Sequence, residues 1–192
     1  AGVAPIILYS AEDDELVTID GLGTWPAKAS LALFEDEHGG TIPEGLLRTV
    51  VPAAPDAWIT VLERYGTVSF AEVARAAIRF AAEGFIMYPM MSEQIAAIEE
   101  SFARWPSSAA VFLPGGAAPV VGANFVQADL GRTLQYMADQ EAAATKSGRA
   151  AGLDAARAAF YRGDIASTVC AYHAANGGLL TMDDMAGYRV TV

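Results

Sequence analysis

The chain has 192 residues, of which 53% are hydrophobic, with 23 acidic against 12 basic side chains and a formal net charge of -11. This length sustains one domain with a core and is short for two large ones. A surplus of carboxylates excludes the clustered Lys and Arg by which nucleic acid and anionic membranes are held, so neither is expected as a partner. Cys170 is the only cysteine, which excludes an internal disulfide and a cysteine-based zinc site; no metal and no cofactor are expected.

No run reaches the roughly 18 apolar residues that span a bilayer. The amino end, AGVAPIILYS, lacks a basic n-region and a cleavage signature. The chain starts without methionine in an apolar stretch and stops at YRVTV, which reads as the beginning of a strand. It is expected to be a piece of a longer polypeptide.

PIILYS and LVTID, separated by the acidic turn AEDDE, predict a β-hairpin. After Pro26, the spacing of Leu31 and Phe34 predicts a short helix ending near His38 at a Gly-Gly stop. The proline-rich IPEGLLRTVVPAAP is expected to be extended or turning, and Asp56 to open a helix that Gly66 ends. Ser69-Phe70-Ala71-Glu72 is a capping box, in which the serine accepts from the backbone three residues on and the glutamate reaches back. The helix behind it places Val73, Ala76, Ala77 and Phe80 on one face, with Gly84 as terminator.

MMSEQIAAIEESFARW predicts one helix capped by Ser92, with Ile95, Ile98 and Phe102 as its stripe and Pro106 as its block. VFLPGGAAPVVGANF reads as a loop, and QADLGRTLQYMADQEAAA as helix. The stretch from Thr145 holds one or two further helices closed by Asn176, Gly177 and Gly178, and Thr181 caps a short helix carrying Asp183 and Asp184. A hairpin, a run of helices and a terminal strand make the fold class α+β.

Several residues suggest chemistry. Cys170 and His173 share a helix face, but no cation stands near the thiol in the sequence, and a packed cysteine is the reading preferred. His38 in EDEHGG reads as a solvated helix end rather than a metal ligand, and residues 12–15 as a plain turn lacking the oxygen spacing of a calcium loop. Pro114-Gly115-Gly116 is followed by no Gly-Lys-Ser/Thr and no G-x-S-x-G is present, so neither a phosphate loop nor a nucleophile elbow is supported. Phe160-Tyr161-Arg162-Gly163-Asp164 reads as a helix junction with an Arg-Asp pair. TIDGLGTWP, residues 18 to 26, puts Leu22 between two glycines before a Trp-Pro step; it fits a sharp strand exit or a backbone pressed close to a ligand.

Taken in order, TIDG with Pro26-Ala27, TVVPAAPDAW, LERYGTVSFAEV, AIRFAAEGF, VFLPGG, FVQADLGRTLQYMA, AFYRGDIA and NGGLLTMDDMAGYRV resemble the large subunit of the gamma-glutamyltransferase family of N-terminal nucleophile hydrolases. The resemblance covers nearly the whole chain. It implies an αββα sandwich made as one precursor, which cleaves itself so that a threonine opens the small subunit. That threonine attacks an amide carbonyl with its own α-amine as base, since the amine titrates near neutrality beside the hydroxyl.

On this resemblance, residues 1–26 are the hairpin and pocket loop of the sandwich, 27–180 a mainly helical region, and 181–192 a short helix leading into the next core strand. The partners implied are the small subunit and a small-molecule amide. No catalytic residue lies in this chain, and the fragment alone is expected to be inactive. Ala142 to Ala158 looks longer than the family's spacing and is expected to be an extra helical excursion. Family members occur in the bacterial periplasm and cytoplasm, and the lone cysteine does not choose.

One departure bears on the substrate. Typical transpeptidases place an arginine two residues past this aspartate, paired with the α-carboxylate of the γ-glutamyl group; aligned without a gap, that position is Leu22. Leucine supplies neither charge nor a planar fork. Gly21, Leu22, Gly23 and Trp25 are therefore expected to bind an acyl group without the amino acid head, as in relatives that act on cephalosporin side chains or small amides. The alternatives are a true γ-glutamyl enzyme, with another arginine such as Arg48 substituting, and an inactive relative acting as a scaffold.

Overall fold

A computed structural model describes residues 2–192. It resolves into two compact units: one runs up to Glu72 and resumes over Met137–Val192, and the other is Val73–Tyr136. The first takes in the segments 1–26 and 181–192 together with parts of 27–180.

The first unit opens on the expected hairpin. Strands β1 (Ile6–Ser10) and β2 (Glu15–Ile19) pair antiparallel, with Ile6 opposite Ile19 and Leu8 opposite Val17. Alternation puts Ile6, Val17 and Ile19 on one face, where they pack with Ala57, Val61 and Tyr65; Ile7, Tyr9 and Leu16 face outward. The turn between the strands is held by its own side chains. Tyr9 donates to Asp14 at 2.7 Å and Ser10 to Asp13 at 2.8 Å.

Helix α1 (Leu31–His38) is capped by Ser30, which accepts from Leu33 N, and ends at Gly39 in the left-handed region. Of its two expected apolar residues only Phe34 is buried, while Leu31 is exposed. Helix α2 (Ala54–Tyr65) starts two residues before the Asp56 expected to open it, because Pro55 fits the first turn, where a missing N–H costs nothing. Gly66 ends it, as expected.

Helix α3 (Phe70–Glu83) follows the capping box, with Ser69 N donating to Glu72 at 2.9 Å and Glu72 N to Ser69 Oγ at 3.1 Å. The expected face of Val73, Ala76, Ala77 and Phe80 is exposed; Phe70, Ala74 and Ala81 are the buried positions.

In the second unit, the helix expected across MMSEQIAAIEESFARW is three pieces: α4 (Pro89–Ala97), α5 (Glu99–Ala103) and α6 (Pro106–Phe112). Ser92 is no cap. Pro89 opens α4 after Tyr88, and the Ser92 hydroxyl donates to Pro119 O at 2.7 Å. Pro106 likewise opens α6 and carries helix into the expected loop VFLPGG. Strands β3 (Phe85–Ile86) and β4 (Asn124–Phe125) pair antiparallel, an element too short for any periodicity to reveal. Met87, Ile95, Leu113 and Phe125 form this unit's core, with Phe102 stacked on Phe112 at 4.4 Å between ring centroids.

Chain continues through α7 (Ala128–Ala144) and back into the first unit as α8 (Arg149–Tyr161), α9 (Asp164–Ala175) and α10 (Met182–Gly187). Helix α8 buries Leu153, Ala156, Arg157 and Tyr161. Tyr161, Cys170, Leu180, Met185 and Tyr188 then gather with Val51 and Ala53 into a core cluster. Thr181 and Asp184 complete a second capping box at the start of α10. The expected terminal strand is a single bridge, Asp20 to Thr191.

Candidate functional site

The loop that leaves β2, residues 20–27, is pinned at nearly every step. Ala4 N donates to Gly21 O at 2.7 Å, Val51 N to Thr24 O at 2.8 Å, and Ala27 N to Asp184 Oδ1 at 2.8 Å. Leu22 N donates to Asp20 Oδ1 at 3.0 Å, closing an Asx turn. The large apolar side chains exposed on this frame are Leu22, at 56%, and Trp25, at 45%.

The glycines serve the same frame. A Cβ on Gly21 would overlap the Ala4 carbonyl, and one on Gly23, which has φ of +85°, would overlap the Val51 carbonyl. The close approach read from the sequence is thus made to the chain's own backbone.

Trp25 packs edge-on against Phe34, with ring centroids 5.9 Å apart, and lines an open depression with Gly40, Thr41, Ile42 and Arg48. Leu22 stands outside that lining on the same loop. The Arg48 guanidinium is fixed by donating from Nε and Nη2 to Ile42 O, at 3.1 and 2.9 Å. The depression therefore pairs an apolar wall with one oriented cation. Such a surface suits a flat or aliphatic group, with a carboxylate only where the guanidinium reaches.

Beside this loop lies an ionic network that sequence reasoning missed. Arg157 Nε donates to Asp56 Oδ1 at 2.6 Å, and its Nη2 donates to Thr60 at 3.2 Å and Glu63 at 3.1 Å. The side chains of Arg157 and Asp56 are 8% and 0% exposed. The second Asp56 oxygen accepts from Val190 N at 2.7 Å. Tyr161 accepts from Asp56 N and donates to Pro52 O at 2.6 Å, and burial pushes its hydroxyl well above the usual phenol range. A charged pair at this depth is tolerated only because both partners are satisfied. The signal available was a lone Asp in AAPDAW and a lone Arg in AARAAF.

The remaining candidates resolve into structural roles. Cys170 is buried, and burial, with Asp184 adding to it, pushes its thiol up and away from the reactive thiolate. His173 is buried with its Nδ1 unbonded, and burial holds its imidazole below the usual value. The Arg-Gly-Asp stretch is a helix junction between α8 and α9, and Arg162 pairs with Asp154 at 3.2 Å. Among the described residues, no helix is long and apolar enough to cross a membrane.

Known proteins place the chain. Residues 2–192 match the sequence model described as Gamma-glutamyltranspeptidase. The Acylase ACY 1 proenzyme of Pseudomonas sp. (strain SE83) is 35% identical over 188 residues, which is 93% of this chain and 31% of that protein. The chain thus spans about a third of the length of this curated relative. The crystal structure of Helicobacter pylori gamma-glutamyltranspeptidase superposes with a TM-score of 0.84 at 26% identity, over 99% of this chain and 51% of that one. The cephalosporin acylase from Bacillus halodurans superposes with a TM-score of 0.79 at 25% identity, over 96% and 33%. The fold, the ordered motifs and these similarities agree: the chain belongs to the gamma-glutamyltranspeptidase family.

Proposed function

We propose that this chain is part of the large subunit of an autoprocessing amide hydrolase or acyltransferase whose nucleophile, an N-terminal threonine, belongs to the partner small subunit. The threonine hydroxyl attacks the amide carbonyl while its α-amine takes the proton. Collapse expels the amine and leaves an acyl ester, which water or a second amine resolves. This chain supplies no reacting group and is inactive alone; its part is to shape the acyl site.

The acyl group accepted is one without an amino acid head. What supports this reading is Leu22 on the pinned loop, at the position that typical transpeptidases, aligned without a gap, give to arginine, with the exposed Trp25 indole three residues on. An uncharged wall of this kind removes the charge-assisted bonds that a free α-carboxylate needs on leaving water. The similarity to an acylase proenzyme supports the same reading.

A second reading, a true γ-glutamyl enzyme, is favoured by Arg48, whose guanidinium shares the depression with Trp25. A third, an inactive scaffold, is separated by processing. The full-length protein is expected to split into two bands on a denaturing gel, and replacing the new terminal threonine by alanine is expected to stop the splitting. Protein that stays whole indefinitely would rule out catalysis by this route.

A further inference from the structure

Asp184 lies 157 residues from Ala27 in sequence, yet its carboxylate does two jobs at once. Oδ2 accepts from Thr181 N at 2.9 Å and from the Thr181 hydroxyl at 2.6 Å, closing the cap of α10. Oδ1 accepts from Ala27 N at 2.8 Å. The cap does not require that second bond. A capping box is complete with the reciprocal pair at its own helix end, which Thr181 and Asp184 already form.

The bond to Ala27 closes a frame. Ala4 holds the loop at Gly21, Val51 at Thr24 and Asp184 at Ala27, and Leu22 and Trp25 are the large apolar side chains exposed between these anchors. Of the three anchors, two are backbone to backbone. The third is made by an ionised side chain, which is the stronger kind of acceptor and the one open to substitution.

We propose that Asp184 is a positioning residue for acyl recognition: through Ala27 N it fixes the backbone that presents Leu22 and Trp25. The inference rests on the reading of that loop as the acyl-site wall. It assigns Asp184 no contact with substrate. Displacing the loop changes which acyl groups fit, whereas a weakened α10 changes only how much folded protein exists.

The test uses the full-length, self-cleaved protein and four variants, Asp184→Asn among them. Ala27→Pro removes the N–H and puts the ring Cδ in its place, so that Asp184 Oδ1, 2.8 Å from this nitrogen, must swing away. Ala27 is the second residue of a β-turn in which Ala29 N donates to Pro26 O at 2.9 Å, a position that suits proline, and the Thr181 half of the α10 cap stays in place. Asp184→Ala removes tether and cap together. Thr181→Ala weakens the cap and leaves the tether.

Two readouts follow: hydrogen exchange of the peptide spanning residues 18–30, and the ratio of kcat/KM for a pentanoyl anilide over an acetyl anilide. One hydrogen bond to a charged acceptor corresponds to a change of about tenfold. Ala27→Pro and Asp184→Ala are each expected to raise exchange at residues 22–25 and to lower the ratio by about that factor. Thr181→Ala is expected to leave both within about twofold of wild type, a difference below the worth of one such bond. Asp184→Asn, which keeps an acceptor oxygen, is expected to restore much of the ratio.

Unchanged exchange and an unchanged ratio in Ala27→Pro would overturn the proposal, as would a Thr181→Ala variant as impaired as Asp184→Ala. A wild-type protein that hydrolyses neither anilide would sink the functional reading instead, and the exchange measurement would still decide the tether.

Discussion

Replacing Asp56 by alanine is the sharpest perturbation of the fold that supports the loop. The side chain is fully buried and its two oxygens serve different partners: Arg157 Nε at 2.6 Å and Val190 N at 2.7 Å. Removal leaves the Arg157 guanidinium, itself 8% exposed, with Thr60 and the partly exposed Glu63 as its remaining acceptors. Two effects oppose each other. The pair cost desolvation when it formed, which argues that losing it is mild; but the substitution removes one charge only, and the other stays in place.

Breaking such a pair costs about 3–5 kcal/mol, because an uncompensated buried charge remains. The orphaned Val190 N–H adds about 1 kcal/mol. Asp56→Ala is therefore expected to destabilise by about 4–6 kcal/mol, read as a shift in the urea midpoint of the complete protein at constant slope. The double variant Asp56→Leu with Arg157→Met removes both charges, and is expected to recover at least about 2 kcal/mol of that loss. A loss below about 1 kcal/mol for Asp56→Ala, or a double variant worse than the sum of its single changes, would refute the reasoning that charge compensation holds this site.

Three further outcomes are expected. Glu141 is buried and its two oxygens accept from Phe70 N and Ala71 N, each at 2.8 Å, at the positive end of α3. Glu141→Gln turns one acceptor into a donor facing a donor, and thermal unfolding should show a loss of about 2 kcal/mol. Gly23→Ala, at φ of +85° and against the Val51 carbonyl, should lower the yield of folded protein and cost about 2–4 kcal/mol, whereas alanine at the open Gly40 should cost less. Burial holds the His173 imidazole below its usual 6.5, so the unfolded chain takes up a proton that the folded state refuses. Stability should be full above that value and decline as pH falls below it, and His173→Leu should flatten the decline in melting temperature between pH 7.5 and pH 5.5, values chosen to bracket about 6.5.

The sequence made local features legible and hid distant ones. The capping box at Ser69, the cap at Thr181 and the stop at Gly66 are written in neighbouring residues, so their geometry follows from spacing alone. Ser92 misled because Pro89 already satisfies the first turn of α4, which frees the serine hydroxyl for Pro119. Asp56 and Arg157 are 101 positions apart, and no spacing rule couples residues at that distance. The frame around Leu22 and Trp25 was half visible. The Gly-Leu-Gly pattern announced a close backbone approach, but only the fold shows that the approaching groups are Ala4 and Val51.

Acyl choice is the most direct measure of the account. The full-length, self-cleaved protein should be assayed with a γ-glutamyl anilide and with the corresponding acyl anilide lacking the α-amino and α-carboxyl groups, for the wild type and for Leu22→Arg. The second compound is expected to be hydrolysed with the higher kcat/KM by the wild type, and Leu22→Arg to shift preference toward the first by about tenfold, the worth of one charge-assisted contact. A strong wild-type preference for the γ-glutamyl compound would contradict the account and direct attention to Arg48.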